Sequence, residues 1–215
     1  MPGKSSRRTV IKKFAAGSAA LVAGNSILSS FTSPEKSEKK LNLKGNINHS
    51  VCQWTYNFLS VEELCQVVKN IGFNAIDLLA PKDWPTLQKY GIYSSMCYHG
   101  GKVSLTEGFN NKNFHDLLIK EYTEVIPLMV TAGYKDVICF SGSRNGMDDE
   151  TGLKNSVEGL QKILPLAEKN GITIHMELLN SKVDHKDYMC DHTAWGLQVV
   201  QAVNSPRVKL LYDIY

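Results

Sequence analysis

The sequence predicts an α/β protein, an incomplete (β/α)8 barrel of about six βα units. Three observations predict it. From residue 47 onward, short apolar or β-branched runs alternate with helical patterns, which implies a parallel sheet. Successive strand-like runs lie about 30 residues apart on average, the length of a βαβ unit. No glycine follows the first strand, where an open nucleotide-binding sheet needs a glycine-rich turn. The chain there reads Thr55-Tyr56-Asn57-Phe58-Leu59-Ser60. Both closures are compatible with alternation, and the missing turn favours the barrel.

The elements follow in order. Strands are expected near 48–54, 73–79, 92–98, 136–141, 172–178 and 208–213. Helices are expected near 60–71, 83–90, 113–132, 152–170 and 193–204. Ser60 and Glu63 form a capping box, and Val61, Leu64, Cys65, Val68 and Ile71 supply that helix's buried stripe. Gly72, Gly91, Gly133 and Gly171 stand between a helix and the next strand. In the 152–170 helix, Val157, Leu160, Ile163, Leu164 and Ala167 recur at helical spacing.

The first 45 residues read as an address rather than a domain. They hold nine Lys/Arg and two Asp/Glu, a balance of +7 within a chain of 215 residues and net charge +3. Lys4, Arg7, Arg8, Lys12 and Lys13 precede a mildly apolar run from Phe14 to Leu28, too short and too diluted for a stable membrane span. Ser6-Arg7-Arg8-Thr9-Val10 resembles a twin-arginine export signal, so a periplasmic location is expected. A flexible linker, Ser29 to Lys44, follows.

Residues 46–215 carry fifteen basic and nineteen acidic residues, a balance of −4. That gives no support for a nucleic-acid partner held by a basic surface. The five cysteines contain no Cys-x-x-Cys pair and read as small buried hydrophobes. Oligomeric state is not encoded in any pattern seen here.

The candidate chemistry sits at strand ends, where a barrel carries its active site. In Ile172-Thr173-Ile174-His175-Met176-Glu177, alternation puts Thr173, His175 and Glu177 on the face opposite the oily residues. In Val208-Lys209-Leu210-Leu211-Tyr212-Asp213, Asp213 shares a face with Lys209 and Leu211. Two successive strands therefore each end in an inward carboxylate, on strands about 4.8 Å apart. A hard divalent ion such as Mg or Mn would relieve their repulsion, and so would pairing with Lys209 or Arg207. His99 ends the third strand and by parity shares the face of Tyr93, Ser95 and Cys97. It is a candidate substrate donor or a hydrogen-bonded core histidine. Arg144, in the loop after the fourth strand, is a candidate grip for a substrate carboxylate or phosphate, or a surface residue. Asn180, Asp184 and His185, in the polar loop after Glu177, are further substrate-binding candidates. Asp77 ends the second strand and orients a neighbour or binds backbone.

GFNAIDLLAP (72–81), DVICFSGSRNGM (136–147), ITIHMELLNSKVDHKDYMCDHTAWG (172–196) and PRVKLLYDIY (206–215) resemble the hydroxypyruvate isomerase family. That family belongs to the xylose-isomerase-like TIM barrels of sugar isomerases and epimerases. The resemblance implies a divalent metal held at the barrel mouth, with Glu177 and Asp213 as two ligands. It also implies that Glu177 is one of two catalytic glutamates. The implied reaction interconverts hydroxypyruvate and tartronate semialdehyde through an enediolate, so the expected partner is a small hydroxy-carbonyl or sugar substrate. A sugar epimerase or dehydratase of the same superfamily is an alternative, as is a secreted sugar-binding barrel without catalysis. The sequence stops after the sixth strand. The resemblance places two further ligands and the second glutamate downstream of Tyr215, so this chain is expected to be an inactive, weakly stable portion of a longer barrel.

Overall fold

The computed structural model describes residues 47–215. The expected export signal and linker at 1–45 lie outside the described residues. The strands are β1 (Ser50–Cys52), β2 (Ala75–Asp77), β3 (Asp136–Cys139), β4 (Thr173–Glu177) and β5 (Val208–Leu211). The helices are α1 (Val61–Asn70), α2 (Trp84–Lys89), α3 (His115–Ala132), α4 (Asp149–Asn170) and α5 (Thr193–Val203). All strand pairs are parallel: β1 with β2, and β3 with β4 with β5. Residues 93–97 stand between the two groups. Tyr93 bridges Ala75, and Cys97 bridges both Leu79 and Val137. The order is thus six strand positions in sequence order, a partial α/β barrel as expected. Among the described residues, no helix is long and apolar enough to cross a membrane.

Local chemistry explains the boundaries. The Ser60 hydroxyl accepts the Glu63 N–H at 3.2 Å, and the Glu63 carboxylate accepts the Ser60 N–H at 2.8 Å. Two otherwise orphaned donors are thereby satisfied at the start of α1. Of the expected α1 stripe, Leu64, Cys65 and Val68 are buried, whereas Ile71 is exposed. α4 begins three residues earlier than its apolar pattern suggests. Asp148 caps it by accepting the Thr151 N–H, and Asp149 and Glu150 suit the positive end of the helix. Gly133 and Gly171 end α3 and α4 at φ 78° and 68°, a left-handed conformation in which a side chain would be strained.

Strand register separates two faces. Val137 pairs with Ile174 and Ile174 with Val208, and all three are buried in the layer shared with the helices. Ile138, His175 and Lys209 form the adjacent row on the other face. Glu177, two residues beyond His175, lies on that inner face at the end of β4.

The third expected strand departs from simple alternation. Residues 95–96 bend, and the neighbouring Leu78 has φ 61°. At the bend, Ser95 reaches inward to Asp77. Above it, Cys97 pairs with the outward Val137 and is fully buried. His99 therefore does not share a face with Ser95. It turns toward α3, which corrects the parity expected for it.

Candidate functional site

The inner face is polar and layered. Asp77 accepts the Ser50 hydroxyl at 2.6 Å from β1, and it accepts the Ser95 hydroxyl from the other side. One carboxylate thus ties three consecutive strand positions. Asp136 and the His175 ring nitrogen meet at 2.8 Å across β3 and β4. Above this pair stands Glu177. Its backbone is pinned by the buried Tyr188, whose hydroxyl donates to the Glu177 carbonyl at 3.1 Å and accepts the Ser141 N–H at 3.0 Å.

The Glu177 carboxyl is pushed up from 4.5 to about 7, first by burial and then by the charge of Asp213. Among the described residues, none is hydrogen-bonded or ion-paired to its carboxylate. The Cys52 thiol is pushed up to about 11, mainly by burial, with the Asp77 and Glu177 charges adding to it. Cys52, Asp77, Glu177 and Asp213 are thus electrostatic neighbours at one mouth. Asp213 is exposed, and its Oδ1 accepts the Tyr215 N–H at 3.0 Å. The donor chemistry, two carboxylates with no cation opposite them among the described residues, suits a hard metal ion. Two carboxylates fall short of a full coordination shell. Among the described residues, no group of three or more His, Cys, Asp or Glu is arranged to hold a metal.

The structure brings Glu177 and Asp213 together and distributes the other candidates. Asn180 shares a cleft of about 280 Å³ with Asp213 and His192. Its Oδ1 accepts the Lys182 and Val183 N–H groups, so half of its amide organises its own loop. His185 lines a separate cleft with Thr106 and Ser143, and Asp184 lies there too. Arg144 is engaged by protein groups: its guanidinium pairs with Asp149 and Asp191 and donates to the Met189 carbonyl at 3.2 Å. Its position ties the loops after β3 and β4, and a substrate anion there would have to compete with two carboxylates. The His99 side chain is 1% exposed and lies against Glu121 and Tyr122 of α3. Its ring has the surroundings of a partnered core histidine.

Sequence reasoning missed the Asp136–His175 pair, the Tyr188 pin and Glu121. The pair had a visible signal, since His175 precedes Glu177 by two. Glu121 had one as well: it falls between Leu118 and Val125 on the buried side of α3. Tyr188 had none.

A family model described as a xylose isomerase-like TIM barrel matches residues 65–215, and the chain belongs to that family. No curated protein matches the sequence. Solved structures that share the fold include the following three. One is an AP endonuclease, family 2, from Brucella melitensis, with a TM-score of 0.67 and 16% identity over 79% of this chain and 69% of that one. Another is a D-psicose 3-epimerase with D-tagatose from Clostridium cellulolyticum H10, with a TM-score of 0.58 and 16% identity over 76% and 62%. The third is the IolI protein with a zinc atom, with a TM-score of 0.63 and 18% identity over 76% and 62%. The chain therefore spans 62–69% of the length of these relatives.

Proposed function

We propose that this chain is part of a metal-dependent sugar isomerase or epimerase, and specifically one that interconverts hydroxypyruvate and tartronate semialdehyde. The observation that carries the reading is Glu177. It is an inward carboxyl at a strand end, with no hydrogen-bond or ion-pair partner among the described residues, raised to about 7 by burial and by Asp213. A cation between Glu177 and Asp213 would hold Glu177 as a carboxylate, the form that takes a proton. Glu177 and Asp213 would hold a divalent ion, which supplies a Lewis acid for the carbonyl and hydroxyl oxygens when bound. Glu177 would take the proton from the carbon beside the carbonyl. Tyr188 keeps the Glu177 backbone fixed while it does so. The acidic balance of residues 46–215 fits a small neutral or metal-held substrate better than a nucleic-acid backbone. The zinc in IolI and the ketose in the epimerase belong to those proteins, and they make the metal and the substrate class reasonable here.

The test uses the full-length protein with hydroxypyruvate and a panel of ketoses. EDTA and Glu177→Gln are each expected to lower turnover by about 10²-fold or more. Preference for a ketose would move the assignment to a sister epimerase. Activity untouched by both treatments would refute it. We also propose export through the twin-arginine route. Fractionation should find the protein in the periplasm, and Arg7→Lys with Arg8→Lys should hold it back.

A further inference from the structure

Hydroxypyruvate and tartronate semialdehyde both carry a carboxylate. The reacting part, a carbonyl beside a hydroxyl-bearing carbon, is shared with every neutral ketose. Only the carboxylate separates the two classes, so a site selective for the acid needs a cation to hold it. Without one, Asp213 would repel the substrate's charge. Most cations near the mouth are committed or misplaced. Arg144 pairs with Asp149 and Asp191. Arg207 leans on the Thr173 hydroxyl at 3.5 Å, at the start of β4 and so at the far end of the strands. Lys209 stands beside His175, below Glu177, and does not line the cleft that holds Asp213.

Lys182 does line that cleft, on the loop after β4. Among the described residues, no carboxylate pairs with its ammonium group. Its backbone is fixed, because Asn180 Oδ1 accepts its N–H at 2.9 Å, and the loop is closed at its base by the Leu179 N–H on the Cys190 carbonyl at 3.3 Å. The other acid of the cleft, Asp191, already meets Arg144 at 3.3 Å and His192 Nδ1 at 2.7 Å. Lys182 therefore keeps its charge for whatever enters beside Asp213. The two neighbouring clefts have no such surplus: Lys186 shares one with Asp184 and Asp187, and Lys82 shares the other with Asp83. We propose, resting on the hydroxypyruvate reading above, that Lys182 grips the substrate carboxylate and so sets the preference for a hydroxy-carbonyl acid over a neutral ketose.

The test compares the full-length protein with Lys182→Met, which removes the charge but keeps an unbranched side chain, and with Lys182→Arg, which keeps the charge. Two probes are titrated by calorimetry with Mg present: glycerate, a hydroxy acid without the reacting carbonyl, and glycerol, its neutral counterpart. Glycerate should bind more tightly than glycerol to the original protein. Lys182→Met should weaken glycerate by about tenfold or more, whereas Lys182→Arg should hold it. With hydroxypyruvate, Lys182→Met should raise KM by a similar factor at an unchanged kcat, because the carboxylate is gripped equally in the substrate and in the transition state. Equal glycerate binding by the original protein and Lys182→Met would overturn the proposal, and so would loss of glycerate in Lys182→Arg. Turnover of ketoses alone, with glycerate still held through Lys182, would refute the hydroxypyruvate reading and uphold the grip. Turnover of hydroxypyruvate with the same KM in Lys182→Met would do the reverse.

Discussion

Glu177 is a carboxyl whose burial works against its charge, and this has a thermodynamic sign. The folded chain keeps a proton up to about pH 7, whereas the unfolded chain releases it near 4.5. Between those values the native state binds more protons, so stability falls as pH rises, by at most about 3 kcal/mol. Above about 7 the loss is complete and the curve levels. Urea denaturation at pH 5, 6, 7 and 8 should show this slope in the original chain. It should be absent in Glu177→Gln and reduced by a divalent cation that stands between Glu177 and Asp213. Gly101 gives a steric counterpart. Its Cβ-less surface lies on the Glu121 carboxyl, so Gly101→Ala should destabilise the fold by about 1–3 kcal/mol. Chemical denaturation checks the size.

Elements were legible where their signals are local. The capping box at Ser60 and Glu63 forms as its spacing requires, because both hydrogen bonds lie within one turn. Ser60→Ala should therefore cost about 1 kcal/mol, read as a shift in the denaturation midpoint. The inward side of β4 was legible for a similar reason: five residues alternate without interruption from Thr173 to Glu177. The third strand position was not. Its bend at residues 95–96 answers to Leu78 on the neighbouring segment, which adopts φ 61°, and no pattern within 92–98 reports on that. His99 was consequently expected on the face of Ser95, as a substrate donor or a core histidine, and its ring stands against Glu121 and Tyr122 of α3. Arg144 was read as a substrate grip or a surface residue, and its pairing was not legible because Asp149 and Asp191 lie on other elements. Glu177 is fixed at the end of its own strand, β4, whereas Asp213 lies two residues past the end of β5 and is exposed.

At the scale of the molecule, strand pairing is uneven. β1 and β2 pair over three residues, whereas β4 pairs over four on each side and lies between two neighbours. The two groups are joined through Tyr93 and Cys97. Stability should follow this distribution. Amides of Ile174 and Met176 should exchange only with global unfolding, while those of Val51 and Ile76 should exchange about tenfold faster or more. Equal rates would mean that the two groups open as one cooperative unit. The same unevenness has a temporal side. Translation delivers the weak ladder first, and β2 is complete at Asp77, well before β3 begins at Asp136. At ribosomal speed that interval lasts on the order of several seconds. Throughout it, Val68, Ile76 and Leu87 have no finished surface to rest on, although all three are fully buried in the end. The nascent N-terminal half is therefore the part of this chain that most needs a chaperone, and its need ends only when the later strands arrive to hold it.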